Sequence, residues 1–513
     1  MSDWSHGYNV SMGYTYHFFR EMAPTWMDFS LRLAGYQPNP PEKGRRYLEL
    51  GCGQGLGLAL LAAANPDMEF VGIDFHPGHI VHANTLARAA VLNNVTFKEG
   101  DFVELAKCWP ADLGQFDDVA LHGIISWVSH DVRAAIVDCL QHAVKPGGKL
   151  YLSYNAQPGW LSAFPLQHLL RSHEKSSGLP LNEAVDSGIA LMRRLEAGNA
   201  GIFQSLPMLS KKLEQAVKAE RAYLIQEYLH DNAWHPHWHS KVAHELSRAK
   251  LEFGGTATLP EAYLPVLLPD NLKSVVLECK ELAARQDLID ACINQSFRRD
   301  LFVRGTLRSW PGEVAPSWID CPFIAQKASP EEDFSFDASF AQLAGDRNTY
   351  GALVSACQCE PQSIQQLAAL PEWSGKPLVS LLQAIAFLMH GGYLAPYQPG
   401  STVEAAVRFN CVLAQKASMG APYSAIACAH TGSGLLVSAS ELMMLDALAQ
   451  TVQPTADLVA EGLLARLTRC SRTIVKDGKT LTDAGEARSE ALRASKEFLE
   501  QTLPRWRVLG AWE

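Results

Sequence analysis

No run of about 18 or more consecutive apolar residues occurs in this chain, so no membrane-spanning helix is expected. The first residues, Met-Ser-Asp-Trp-Ser-His, have neither a basic start nor an apolar core, and no signal peptide is expected from them. Basic charge is not in excess. Lys and Arg number 44 against 54 Asp and Glu, a formal net charge of -10. That balance does not favour nonspecific nucleic-acid binding, although one basic patch could sit within an acidic total. The 11 cysteines are scattered and odd in number, and the only close pair, Cys357 and Cys359, is a C-x-C without a second pair. Such a pair is thin support for a metal site. Reduced thiols in a cytoplasmic protein are the simpler expectation. Exact repeats and low-complexity tracts are also missing. What remains is a globular composition, 47% apolar and 19% charged, in a chain of 513 residues. That length is too great for one ordinary core, and two or three domains are expected.

The most informative segment is 47–55, Tyr-Leu-Glu-Leu-Gly-Cys-Gly-Gln-Gly. An apolar run containing an acid meets three glycines at every second position, and residues 56–64 then have a helical composition. Gly51, Gly53 and Gly55 let backbone approach a ligand closely, because no Cβ intervenes. A strand, a glycine-rich turn and a helix form the ligand-holding corner of an open α/β sheet. The dinucleotide spacing G-x-G-x-x-G fails, since its third glycine would fall on Leu56 or Leu58. The observed Glu49-x-Gly51-x-Gly53-x-Gly55 instead resembles the first motif of class I S-adenosylmethionine-dependent methyltransferases.

The first 160 residues alternate strands and helices. Strands are expected at 47–50, 68–73, 95–98, 116–121 and 149–154, and helices at 79–93 and 132–144. This alternation predicts a parallel sheet with helices on its faces. The resemblance implies two further strands. Residues 160–230 are helical in pattern and do not supply them, whereas 250–258 and 299–304 do, with an amphipathic helix over 240–249. The catalytic fold is therefore expected over 1–308, with helical insertions at 160–230 and 262–297. The alternative is a separate helical domain after residue 160. Residues 309–335, rich in Pro, Ser and acid, are expected to be a linker. In 336–513, helices at 363–370 and 378–390, then Gly391-Gly392 and an apolar run over 393–397, resemble a winged-helix unit; further helices are expected at 441–449 and 455–467. The expected class is thus α/β, a Rossmann-like methyltransferase sheet with helical insertions, followed by a mainly helical, winged-helix-like C-terminal domain. Within 371–390 the only Lys or Arg is Lys376, so a DNA-reading helix is not expected there, and the tail should pack on a protein surface or a second subunit.

S-adenosylmethionine presents a ribose diol, an adenine, a sulfonium and a zwitterionic methionine end. Gly51, Cys52, Gly53 and Gly55 would wrap its ribose and methionine portion, and Glu49 would place negative charge near the ammonium group. Asp74, at the end of the second strand with Phe75 after it, can accept both ribose hydroxyls. Asp101 can accept from the adenine amino group, with Phe102 against the ring, and His122 ends the fourth strand beside the reacting methyl. Taken singly, Glu49 and Asp74 could be ordinary strand-end acids and Asp101 a helix N-cap.

A narrower resemblance reaches further. His122-Gly123-Ile124-Ile125-Ser126-Trp127-Val128, Lys145-Pro146-Gly147-Gly148, Ser153-Tyr154-Asn155 and Pro158-Gly159-Trp160 resemble segments of bacterial methyltransferases that carry a methyltransferase regulatory domain, among them the rickettsial protein lysine methyltransferases. Glu227-Tyr228-Leu229 with Asn232, His235 and Pro236 resembles the regulatory segment, and Phe297–Leu301 its end. The resemblance implies a protein or peptide amine as acceptor. A small-molecule acceptor is the first alternative; a cofactor-sensing module that binds a partner is the second, and a homodimer is possible. The lead-in from Tyr8 to Tyr36, with Gly13, Tyr14, Tyr16 and Phe18, is either a lid over the cofactor or, through Tyr14, Phe18 and Trp26, the apolar face of a helix. The alternating histidines His235, His237 and His239 look like metal ligands, but Pro236 interrupts them, no acid or cysteine joins nearby, and no metal is expected. Methyl transfer is an in-line displacement that needs alignment and desolvation. An amine acceptor must first lose a proton, and His122 or a water held by Tyr154 is a candidate to take it. Trp127, Tyr154 and Trp160, with Tyr14 and Tyr16 behind them, are candidates to face a cation; core packing is the alternative for the two tryptophans.

Overall fold

The computed structural model describes residues 14–38, 43–219, 221–229, 234–319, 321–476 and 479–513. Tyr8, Gly13, Asn232 and the side chain of Glu227 lie outside the described residues. One seven-stranded sheet organises the chain, in the order β3-β2-β1-β4-β5-β7-β6. Its members are β1 (Arg46–Leu50), β2 (Glu69–Asp74), β3 (Val95–Glu99), β4 (Phe116–Leu121), β5 (Val144–Asn155), β6 (Glu252–Thr256) and β7 (Phe297–Val303). The first five are parallel, and β7 runs antiparallel to both β5 and β6. The two late strands therefore complete the sheet, as expected, across the helical insertions. Every residue of β4 is buried, including Asp117 and Asp118; Asp118 is paired with Arg45 and Lys149. The order reverses between β1 and β4, so the crevice at their carboxyl ends is where a ligand fits.

The first insertion contains helices Phe164–Ser177, Leu181–Ala197, Gly201–Ser205, Met208–Lys218 and Arg221–Tyr228. Its own small core gathers Leu166, Met192, Leu213, Trp127, Trp160 and Trp234. The second insertion, Leu264–Leu267, Asp270–Glu278 and Leu282–Ile293, lies between β6 and β7.

A buried polar network fastens the second insertion and the helix His239–Ser247 to the sheet. The Tyr154 hydroxyl donates to Asp300 Oδ2 at 2.7 Å, His239 Nδ1 lies 3.0 Å from the same oxygen, and Arg298 Nε donates to Asp300 and its Nη1 to Asp290. Burial alone would push the Asp300 carboxyl up, but Arg298 and His239 together hold it down at about 2. Its folded value is thus below the ordinary 3.8, so its stabilisation is present above about pH 4 and lost as pH falls toward 2. Asp300→Ala, which leaves Arg298 Nε, His239 Nδ1 and the Tyr154 hydroxyl without their acceptor, should cost about 3–5 kcal/mol in urea unfolding at pH 7. An Asp300→Asn chain should lose less stability than the parent between pH 4 and pH 2, with equal slopes counting against this assignment.

The C-terminal region departs from expectation in two ways. Residues 309–335 are folded rather than a loose linker: Pro311–Val314 and Pro316–Ile319 are short helices, and β8 (Pro322–Ala325) follows. Trp318 is 2% exposed because it stacks edge-on against Phe29 of helix α1 (Pro24–Leu33). The next strands are β9 (Phe334–Asp337), β10 (Gln342–Gly345), β11 (Gln362–Ser363) and β12 (Leu394–Pro396), and β8 is the centre of a sheet with β11 and β12. Helix Leu378–His390 buries Leu381, Leu382, Ile385 and Phe387 and so is a core element.

The second departure is that the tail packs on the chain's own sheet. Helix α2 (Leu56–Ala64) follows the glycine turn, and eight of its nine residues are buried. A helix apolar all round must be covered all round. The cover comes from helix Glu404–Ala417 and the hairpin of β13 (Ala425–Cys428) and β14 (Ser433–Leu436). One continuous hydrophobic cluster runs from α1 and α2 through Ile385 and Ile426 to Trp506. No helix among the described residues is long and apolar enough to cross a membrane.

Candidate active site

The glycine turn between β1 and α2 is built from left-handed residues. Gly53 has φ +52° and Gly55 φ +75°, conformations that other residues reach only at a cost of roughly 1–2 kcal/mol. The two glycines serve different ends. A Cβ on Gly55 would lie 2.4 Å from Ala83 Cβ in helix α3 (Pro77–Ala89), so Gly55 permits close helix packing. A Cβ on Gly53 would meet only Tyr14, at 3.9 Å, so Gly53 leaves room for a ligand. Gly53→Ala should therefore leave unfolding stability within about 2 kcal/mol of the parent, yet weaken ligand binding sharply. A calorimetric titration beside a urea melt separates the two effects.

Two small adjoining cavities open at this turn. One, of about 110 Å³, is lined by Gly51, Gly53, Asp74, Phe75, Asp101, Phe102, His122 and Trp127, with Tyr14 above them. The other, of about 60 Å³, is lined by Glu49, Cys52, Gly55, His122 and the lead-in residues His17–Phe19. All ten residues expected at the cofactor thus lie around two adjoining spaces, and His122 lines both. Trp127 lines the larger one and also touches Trp234, so its packing and cavity readings hold together. Tyr154 lines neither, because its hydroxyl is taken by Asp300 beneath the sheet surface. Trp160 is also elsewhere, packed against Trp234 and under Lys212 in the first insertion.

The polar groups have distinct environments. Asp74 Oδ2 accepts from Gly53 N at 2.8 Å, and its Oδ1 accepts from His76 N at 2.9 Å and from His79 Nδ1 at 3.1 Å. Asp101 caps helix α4 (Phe102–Lys107), accepting from Val103 N at 2.7 Å, and faces the cavity as well. Glu49 is 8% exposed, and its Oε2 has no hydrogen-bond partner. Burial, then the charge of Asp74, pushes its carboxyl up to about 8. His122 is held down at about 3 by burial, then by Arg299 and His17, and so stays uncharged. Its Nδ1 lies 3.1 Å from the Tyr151 hydroxyl, and Phe19 stacks on the ring at 3.6 Å.

The lead-in has no regular secondary structure over 14–19. Tyr14 and Phe19 face the cavities, Trp26 joins the core, and Phe18 does both. The run at 235–239 is extended up to the helix His239–Ser247. His237 Nε2 donates to Ile125 O, and His239 turns to Asp300. Among the described residues no group of three His, Cys, Asp or Glu is placed to hold a metal ion.

Comparison with known proteins meets this geometry. Residues 48–150 match the family model "Methyltransferase domain", and residues 220–304 match "Predicted methyltransferase regulatory domain". An uncharacterized protein of Synechocystis is 29% identical over 99% of both chains. An uncharacterized protein of Rickettsia prowazekii is 25% identical over 53% of this chain and 48% of its own. The fold of PKMT2 from Rickettsia typhi, solved in complex with AdoHcy, superposes with a TM-score of 0.69 over 97% of this chain and 99% of that one, at 18% identity. The chain is an S-adenosylmethionine-dependent methyltransferase with a methyltransferase regulatory domain. The regulatory segment of this methyltransferase spans the network around Asp300 as well as β6 and β7, so it is part of the sheet rather than an appendage.

The residues present fit S-adenosylmethionine. An orphaned, buried carboxylate at Glu49 is what a cationic ammonium group would complete, and aromatic Phe75 and Phe102 flank the cavity that an adenine would enter. The bound cofactor supplies an electrophilic methyl on a sulfonium; alignment and exclusion of water fall to the protein. Sequence reasoning missed His79, which fixes Asp74, and Phe19, which covers His122. The only signal for His79 was its place in the first turn of the helix after Asp74.

Proposed function

We propose that this methyltransferase transfers its methyl group to lysine side chains of a protein. The observation that carries the proposal is the uncharged, positively biased corner at His122. A lysine amine attacks only when neutral, and both desolvation and a nearby cation favour the neutral amine. His122 lies in such a place, with Arg299 near enough to lower its basicity. The resemblance to rickettsial protein lysine methyltransferases, and a fold shared over nearly the whole length with PKMT2, support the same acceptor. In this reading Glu49 holds the cofactor ammonium, Asp74 the ribose hydroxyls, Asp101 and Phe102 the adenine, and Gly51, Cys52, Gly53, Gly55 and Phe75 the surrounding surface. His122 and Trp127 shape the transfer path.

With its conjugate acid at about 3, His122 is a poor proton acceptor, and its role here is to be neutral and flat. His122→Gln should therefore leave the pH profile of turnover unchanged. Loss of a limb from that profile would restore the general-base role.

Purified protein, methyl-labelled cofactor and a cell lysate, separated by size and digested to amino acids, test the proposal. Label on lysine supports it. Label only in small solutes, or in nucleic acid, overturns it.

A further inference from the structure

We infer that Tyr423, in the C-terminal domain, is a positioning residue for the cofactor turn, acting through His82. The inference rests on the cofactor site described above. His82 Nδ1 lies 2.6 Å from the carbonyl oxygen of Gln54. A carbonyl can only accept, so Nδ1 carries the proton. Nε2 is then an acceptor, and the Tyr423 hydroxyl, 2.9 Å away, donates to it. Burial favours both required forms: it lowers the basicity of His82 and pushes the Tyr423 hydroxyl up to about 12.

Gln54 sits between Gly53 and Gly55, both left-handed, so its peptide belongs to the centre of the turn. Its other contacts lead to the opposite wall. Gln54 Nε2 donates to Tyr14 O at 3.3 Å, and Tyr14 N donates to His79 Nε2 at 3.3 Å. His79 Nδ1 donates to Asp74 Oδ1 at 3.1 Å. One tautomer of each histidine satisfies every contact, which makes the path self-consistent. Tyr16 closes the outside, with its ring 5.0 Å from His82 and 5.5 Å from Tyr423. The turn peptide is therefore held from the lead-in on one side and from the C-terminal domain on the other. Tyr423 lines neither cavity; its hydroxyl reaches the turn through His82 and the Gln54 carbonyl, while its ring meets Tyr16, which lines the smaller cavity and keeps its contact in Tyr423→Phe.

The test uses the full chain and AdoHcy as the calorimetric probe. Tyr423→Phe removes only the hydroxyl and should weaken AdoHcy binding about fivefold, the worth of one ordinary hydrogen bond. The ligand-free melting temperature should stay within about 2 °C of the parent. His82→Asn can still donate to the Gln54 carbonyl but cannot reach Tyr423. In that background Tyr423→Phe should cause no further loss. An unchanged affinity in Tyr423→Phe overturns the inference, as does a loss that persists after His82→Asn or one that follows a fall in melting temperature. A parent chain that binds no AdoHcy would instead overturn the cofactor reading itself.

Discussion

Asp74→Ala is expected to abolish measurable cofactor binding, with at least a hundredfold loss of affinity. The carboxylate accepts three hydrogen bonds before any ligand arrives, from Gly53 N, His76 N and His79 Nδ1. Those bonds connect the glycine turn to the start of α3 and, through His79, to the backbone of Tyr14. Alanine removes both acceptor oxygens at once and leaves two backbone donors and one imidazole donor without a partner. Bonds to a charged acceptor are worth about 1.5–3 kcal/mol each, and each tenfold change in affinity is about 1.4 kcal/mol. Only part of that sum appears in binding, since water replaces some of the lost partners. Even a third of it, added to the ribose contact proposed for Asp74, exceeds about 3 kcal/mol, more than a hundredfold. Calorimetric titration with AdoHcy reads the loss. Asp74→Asn is the stringent control, because its amide keeps one acceptor and turns the other into a donor facing a donor. It should bind better than Asp74→Ala and far worse than the parent. Binding within tenfold of the parent in Asp74→Ala would remove the residue from the site.

Glu49 gives a pH signature of its own. In the ligand-free chain its carboxyl is raised to about 8, so at pH 7 it is mostly protonated. A cofactor ammonium favours the ionised form, so binding expels a proton. Affinity should rise about tenfold per pH unit from pH 6 toward 8 and then level. The sign is that of an acid whose raised pKa is brought down by its ligand. Titrations in two buffers of different ionisation enthalpy count the proton, and Glu49→Gln should abolish both the release and the slope.

The parts of this site that were legible in the sequence are those fixed by local geometry. A left-handed turn needs Gly53 and Gly55 where they stand, and acids at the ends of successive strands point at one crevice because parallel strands end together. Tyr154 was misplaced for a related reason. Side chains alternate along a strand, and its parity puts it beneath the sheet with Asp300 rather than in the crevice. No local signal marked Asp300, 146 residues away, as its partner. Strands six and seven were sought because the family resemblance left two strands to place, but their order was not foreseen, since β7 must insert between β5 and β6 to pair with both. The linker was misjudged because Pro311 and Pro316 each begin a short helix there, and the buried Trp318 finds its partner in α1. Phe19 and Tyr423 reach the site from distant segments, and contacts of that kind leave no periodic trace.

Helix α2 did carry a long-range signal. Leu-Gly-Leu-Ala-Leu-Leu-Ala-Ala-Ala has no polar face, and a helix on the outside of a sheet should have one. That lack is the mark of a second cover, and it leads to the other large effect expected here. A chain ended at residue 308 should not remain soluble and folded. It loses helix Glu404–Ala417 and the β13–β14 hairpin, and the outer face of α2 meets water. Exposing two of the four leucines of α2 costs about 3–6 kcal/mol, against a total domain stability of about 5–15 kcal/mol. A point change makes the same argument within the full chain. A Cβ on Gly434 would lie 2.6 Å from Leu60 Cδ2 and 2.9 Å from the Ile426 carbonyl, so Gly434→Val drives a wedge between hairpin and helix. It should lower stability by about 1–3 kcal/mol and weaken AdoHcy binding as well, because α2 begins at Gly55 and its displacement moves the turn. A truncated chain that is monomeric, cooperative in unfolding and able to bind AdoHcy would show that the C-terminal domain is an accessory. The buried α2 argues for the opposite: the domain is half of the floor on which the cofactor turn stands.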